Sequence, residues 1–564
     1  MQFQRIMLLG ALGLVLVMLW QSWVEFQATY PGPGGQQSLQ TSGGSDGQAS
    51  VDRFEDVPDA PEPTTSSNET AAPEAVPVAA ESGERGKLIR VATDLVNVEI
   101  DTLGGDLVRV ELLKHPVSVD TPDQPFILMH RDTPSLYVAQ NGLIGKDREY
   151  PNHNTQYTAS KYSYHLGDAD RIDVVLHWMS PDGIEYEKIF HFRRDSYRVE
   201  IDFRIRNHSD TRWTGFAYGQ LKQTEVETPG SMGFLGRLPS YNGAAIYTEV
   251  DKYEKIDYGE IQEGPLNVST QDGWVAMLQH YFVSAWLPVG SENYQLYSGV
   301  NRDTAKPQYR IGYKTTDPAV VEPGHEGVVH TVLFVGPKEQ RRLDEQGANG
   351  LKLTVDYGWL TPVANPLFWL LDKIFGFTQN WGWAIILLTF LVKLVFYPLS
   401  AASYKSMAKM KKLQPRMTTL KERYSDDKQK FQQEMMKLYK AEKVNPAGGC
   451  LPILVQIPVF IALYWVLLES VELRQASFML WLNDLSLPDP YFVLPIIMGA
   501  SMLAQHFLNP APVDPLQKKI MMALPFVFTI FFLWFPAGLV LYWVVNNLLS
   551  IAQQYYITRK FADS

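Results

Sequence analysis

One cation stands inside an otherwise apolar run. Residues 381–400 read WGWAIILLTFLVKLVFYPLS, and Lys393 is their only charged residue. At 1.5 Å per residue a helix of this length reaches ~30 Å, the thickness of a bilayer's hydrocarbon layer. A lysine near the middle of such a helix costs roughly 2.5–3.5 kcal/mol to insert, so it must face protein or water rather than lipid. No aspartate or glutamate lies near the centre of another apolar run to pair with it. Snorkelling of the long stem towards water is one outcome. An unpaired cation argues instead for a wet recess, open to the cytoplasm, around which the other apolar helices fold.

The remaining polar residues of the apolar runs are Thr389, Gln456, Ser501, Gln505, His506, Asn546, Asn547, Ser550, Gln553 and Gln554. Amides and hydroxyls at such positions serve as contacts between helices. Elsewhere the chemistry is thin. Ten of the eleven histidines lie between residues 88 and 345, with no HExxH and no cysteine partner. Packing or solvent exposure within strands accounts for His177 and His191. The single cysteine, Cys450, excludes an internal disulfide and sits in an apolar run. Nothing calls for a metal or a cofactor.

The elements that must position Lys393 follow from composition and period. Residues 1–28 hold an apolar run after Arg5 that ends in Trp20 and Trp23, which suit a membrane–water interface. The run is too long for the core of a cleaved signal peptide and predicts an uncleaved anchor with a cytoplasmic N-terminus. Residues 29–87 are rich in Gly, Pro, Ser, Ala and Thr, and 31–86 carry ten acidic residues against two basic ones. Such a segment buries too little apolar surface to offset its chain entropy, which predicts a disordered tether. From 88 to 345 the period changes to two. Tyr197, Val199, Ile201, Phe203 and Ile205 alternate with charged residues, and Asp182-Gly183 marks a hairpin turn. About 250 residues of this pattern predict a large antiparallel β-sandwich outside the cytoplasm.

Residues 346–380 form a connector with a short apolar helix over 366–375, too short to span, that lies along the membrane surface, packs on the sandwich, or both. After the span 381–400, residues 401–448 carry twelve Lys/Arg against five Asp/Glu. Met410, Leu413, Met417, Leu420 and Tyr424 recur at steps of three and four, and Phe431, Met435 and Leu438 repeat the seam beyond Ser425-Asp426-Asp427. This predicts an amphipathic helical hairpin, cytoplasmic by its excess of positive charge. Residues 449–558 supply four further spans at Cys450–Leu468, Tyr491–Leu508, Ile520–Phe535 and Leu539–Tyr556, followed by a cytoplasmic tail at 559–564. Six spans return the C-terminus to the cytoplasm with every basic cluster on that side. The fold class expected is thus an α+β multidomain integral membrane protein.

At YKSMAKMKKLQP (404–415), KLYKAEKVNPAGGCLPILVQIPVFIALY (437–464), SVELRQASF (470–478) and FFLWFPAGLVLYWVVNN (531–547) the chain strongly resembles the YidC family of bacterial membrane protein insertases. The resemblance extends over nearly the whole length. It implies a periplasmic β-supersandwich akin to galactose-mutarotase folds, five core membrane helices, and a bacterial inner-membrane protein that is no enzyme and uses no nucleotide. It further implies a hydrophilic groove, open to cytoplasm and lipid, that receives the polar end of nascent membrane proteins, alone or beside the Sec translocon as a chaperone. The basic hairpin and tail would meet the ribosome, and membrane lipids would flank the groove. Carried over by position, the groove cation falls on Lys393, with Thr389 one turn before it. Lysine stands where the family has arginine, keeping the charge and losing the planar fork. The family's tyrosine pair falls on Tyr542 and Trp543, and its further polar groove positions on Gln456 and Asn546. The competing readings are a scaffold of the translocon without insertion of its own, a transporter coupled through Lys393, and a β domain acting on periplasmic sugars.

Overall fold

The computed structural model describes residues 56–61, 85–132, 135–225, 241–289, 293–424, 427–442, 444, 451–509 and 515–562. The expected anchor at 1–28, and all of the tether except 56–61 and 85–87, lie outside these.

Strands occupy the chain from Leu88 to Pro337 and pair into two sheets of eleven and nine strands. At the middle of the larger sheet, Trp213–Thr224 lies between Tyr137–Ile144 and Gln308–Thr315. At the middle of the smaller, Glu326–Pro337 lies between Phe282–Leu287 and Arg198–Asn207. Neighbours are antiparallel, as alternating sequences joined by short turns require, except for the parallel pairing of Leu88–Ala92 with Ser163–His165. The hairpin Arg171–Met179 to Ile184–Arg193 turns at Gly183, whose φ of +87° favours glycine. Val199, Ile201, Phe203 and Ile205 point into the core. On the other face Arg204 meets Glu187 at 2.8 Å and Arg206 meets Glu326 at 3.0 Å.

Two short helices, α1 (Tyr258–Glu263) and α2 (Gln340–Asp344), sit at this domain. Beyond it the described residues hold the helices α3 (Thr361–Thr378), α4 (Trp381–Val395), α5 (Tyr397–Arg423), α6 (Lys428–Ala441), α7 (Leu451–Glu469), α8 (Val493–Leu508), α9 (Pro515–Phe531) and α10 (Ala537–Ala562). Gln379, at φ +51°, ends α3, and the Asn380 side chain caps α4 by accepting from the Trp383 amide at 3.1 Å. The short helix expected at 366–375 thus begins a turn earlier. It packs on α4 and α7 through Ala364, Phe368 and Leu371, with the Phe375 and Trp381 rings stacked at 4.0 Å.

Where one span was expected over 381–400, α4 stops at Val395 and the chain bends by 67° into α5. Pro398, in the first turn of α5, has no amide hydrogen to give and its ring would crowd the carbonyl of Leu394 in a continuous helix. Among the described residues no single helix is long and apolar enough to cross a membrane, although α4 and α5 meet that test together. The four later spans fall on α7, α8, α9 and α10, of which α7 and α8 have apolar parts over Val455–Glu469 and Val493–Leu508. Lys518 and Lys519 lie inside α9, a 3-10 turn at Phe532–Trp534 ends it, and α10 runs on through Arg559 and Lys560 into the expected tail.

α5 and α6 pack against each other through Leu413, Met417, Phe431, Met435 and Tyr439, the seam spaced at three and four. Asp427 caps α6 by accepting from the Lys430 amide at 2.9 Å. The segment after α7 ties helices to sandwich. Glu472 accepts from the Gln340 amide at 3.0 Å, the Ser470 and Tyr357 hydroxyls meet at 3.1 Å, and Arg474 donates to the Pro116 carbonyl at 2.7 Å.

Candidate functional site

The site grows from the way α4 divides its faces. Trp383, Leu387, Phe390, Leu391, Leu394 and Val395 lie on one exposed stripe, whereas Ala384, Ile385, Leu388, Thr389 and Lys393 are buried. Lys393 is only 6% exposed while its neighbours Leu394 and Val395 are 58% and 72% exposed. In water this arrangement is upside down. Lipid reverses the preference, because apolar surface then costs nothing to expose and a cation costs a great deal.

The Lys393 ammonium donates to the Ser550 hydroxyl at 2.8 Å, and that hydroxyl donates to the Asn546 carbonyl at 2.7 Å. The Gln456 amide in turn donates to the Asn546 side-chain oxygen. One polar chain therefore links α4, α10 and α7. The expected lysine without an acidic partner acquires a neutral one, the Ser550 hydroxyl. Among the described residues no carboxylate lies within ion-pair distance of it, so the ammonium is hydrogen-bonded without a counter-ion there.

Ser550 stands out as the residue that sequence reasoning treated only as a contact between helices. Its spacing carried a signal. Tyr542, Asn546 and Ser550 recur at steps of four, which places them along one face of α10.

The other expected positions fall into two groups. Thr389 lies one turn before Lys393 on the buried face, and its hydroxyl donates back to the Ile385 carbonyl at 2.7 Å. Tyr542 and Trp543 lie a turn away from Asn546 beside Phe460, with Trp543 edge-on to that ring at 4.6 Å. Tyr542 is fully buried, so its phenol is closed off in this conformation. A second polar contact joins α8 to α10, where Asn547 donates to the Ser501 hydroxyl at 3.0 Å.

In the sandwich, strand pairing assembles what the sequence scatters. His191 lies between Asp173 at 2.8 Å and Asp202 at 3.0 Å. His177, Glu185 and Glu187 bring ligand atoms within 4.8 Å of one another. Glu187 already faces Arg204 and Arg206, so these carboxylates are part of a surface ion-pair ladder rather than a set waiting for a cation.

Residues 88–370 match the family described as the YidC periplasmic domain, and residues 372–564 match the one described as the 60Kd inner membrane protein. The chain is 48% identical over 557 residues to a protein of Thioalkalivibrio sulfidiphilus, covering 97% of this chain and 96% of that one. It is 46% identical to one of Stutzerimonas stutzeri, with 99% of each covered, and 48% identical to one of Cellvibrio japonicus, with 100% of each covered. All three carry the name membrane protein insertase YidC.

Proposed function

This chain belongs to the YidC family of membrane protein insertases, and we propose that it lowers the barrier to insertion through the polar chain centred on Lys393. It is a bacterial inner-membrane protein with a β-rich periplasmic domain and a helical C-terminal region. Insertion moves a segment between solvents and breaks no covalent bond. The task is therefore to shorten the apolar path that a polar tail must cross.

The observation that carries this reading is a buried lysine held by a hydroxyl and by no carboxylate among the described residues. Such a charge attracts an acidic side chain of an incoming segment, and the low surrounding dielectric strengthens that attraction. Gln456, Asn546 and Ser550 offer exchangeable hydrogen bonds to the entering backbone, while Thr389 keeps the buried face of α4 polar. Tyr542 and Trp543, packed beside Phe460 in this conformation, meet the segment once the helices part. Release follows when the segment's apolar residues partition into lipid beside the exposed stripe of α4. Helices with short apolar parts thin the bilayer around them, which shortens the path again.

In this reading both termini and the basic hairpin α5–α6 face the cytoplasm, where hairpin and tail meet the ribosome and acidic lipid. The Sec translocon supplies other segments laterally. The test is insertion of a small single-span protein into liposomes that contain only this purified chain. Protection of the translocated tail from protease, above that in empty liposomes, is the expected result. No protection by a folded chain would reassign it to a scaffold of the translocon.

A further inference from the structure

The segment expected to be a featureless tether contains one stretch with defined partners. Residues 56–61 lie against the larger sheet of the sandwich, and the contacts converge on Asp56. Its carboxylate accepts from the Lys222 ammonium at 3.1 Å and lies 3.3 Å from His153 Nε2. Its backbone carbonyl accepts from the Arg310 guanidinium at 2.8 Å and the Gln220 amide at 3.3 Å. Three residues on, the Asp59 carbonyl accepts from Lys314 at 2.6 Å.

The sheet is built for this contact. Lys222 and Arg310 are direct cross-strand partners, and like charges so placed repel unless an anion sits between them. Arg310 and Lys314 share a face of their strand at a spacing of four, and Gln220 shares one with Lys222 at a spacing of two. Behind them the polar groups are fixed. Gln220 donates to Gln140 at 2.9 Å and accepts from the Tyr297 hydroxyl at 2.9 Å, while His153 Nδ1 is held 2.6 Å from the Tyr218 hydroxyl. Lys222, His153 and Gln220 are all buried. Burial pushes the Asp56 carboxyl up, but the His153 hydrogen bond and the Lys222 charge outweigh it and hold the group well below the usual carboxylate range. Beyond Asp56, Val57–Ala60 wall a cavity of about 620 Å³ whose other sides include Tyr150, Asn154 and Trp178.

We propose that this face of the β domain is a peptide-binding site whose occupant is the chain's own acidic segment Asp56–Ala60, held by a cradle of Lys222, His153, Gln220, Arg310 and Lys314 that also takes this segment in trans. The side chains read one carboxylate and the backbone carbonyls of Asp56 and Asp59, which is peptide recognition rather than simple charge balance. Composition hides the site, because the segment buries charge in a matched cradle instead of apolar surface.

The test titrates a fluorescein-labelled peptide of residues 53–62 with the full chain in detergent micelles, read by fluorescence anisotropy. A chain with residues 55–59 replaced by glycine and serine is expected to bind it at least about tenfold tighter than the unaltered chain, whose tethered segment competes at high effective concentration. The same peptide carrying Asp56→Asn should bind the opened chain about tenfold more weakly, and Lys222→Met in the opened chain should weaken the acidic peptide to a similar degree. Equal binding by the opened and unaltered chains, or equal binding of the two peptides by the opened chain, would overturn the proposal. The peptide comparison leaves the sheet untouched and so does not depend on how Lys222→Met folds.

Discussion

Along the strand Arg198–Asn207 the chain turns Val199, Ile201, Phe203 and Ile205 inwards and sets Arg204 and Arg206 among carboxylates on the other face. Along α4 it does the reverse, burying Thr389 and Lys393 and exposing Leu394 and Val395. One polypeptide follows two opposite rules because its halves meet different solvents. In the sandwich a buried apolar ring gains from leaving water and from close packing. In the helices apolar surface is stable where it stands, and it is the polar group that needs a protein partner. Side-chain position therefore reports the surrounding medium as directly as it reports fold.

The sharpest way to break this contrast is to truncate a core ring. Phe203→Ala removes a fully buried side chain and should destabilise the β domain by about 3–5 kcal/mol, read as a lower denaturant midpoint. A loss under about 1 kcal/mol would mean that the two sheets do not share a packed core there.

Next in size is a charge placed on the exposed apolar face. Leu394→Asp should cost roughly 2.5–3.5 kcal/mol of membrane insertion and deplete the chain from the membrane fraction. Val328→Asp, also at an exposed apolar residue (56%), should change the melting of the sandwich by no more than about 0.5 kcal/mol. If both substitutions prove equally mild, the stripe on α4 does not face lipid.

Lys393→Met keeps the length of the side chain and removes the charge. Insertion of substrates with acidic translocated tails should fall about tenfold, equivalent to ~1.4 kcal/mol, while neutral tails change little. Protease protection with matched tails decides it, and equal insertion of both would remove the electrostatic part of the mechanism. Smallest is Ser550→Ala, which deletes the hydroxyl that holds the ammonium. The loss expected is about 0.5–1 kcal/mol, a two- to fivefold drop in the same assay with the preference for acidic tails retained. A loss of preference as large as that of Lys393→Met would mean that Ser550 sets the charge's position and not merely its solvation.

Much of this was legible without coordinates. Alternation at 197–206 marked a strand with one buried face, and the three–four spacing from Met410 to Leu438 marked the seam of the hairpin. Both are local periods, repeated often enough to average out exceptions. The burial of Lys393 was legible because a single cation in an apolar run has few stable places to go.

What escaped the sequence depends on residues far apart in the chain. Ser550 reaches Lys393 across 157 positions, and Asp56 reaches Lys222 across 166. Neither pairing leaves a period, since each is one contact made by one packing of elements. The bend at Phe396 was missed for a different reason: Pro398 was in view, but only the direction of α5 shows that the helix stops instead of kinking. Composition and period thus determined the β-rich domain, the helical C-terminal region, the apolar seam between α5 and α6 and the lone cation. Tertiary structure alone decided which hydroxyl holds that cation and which acidic residue fills the basic cradle of the sheet, because a polar contact is specified by geometry over a few ångströms and not by residue type.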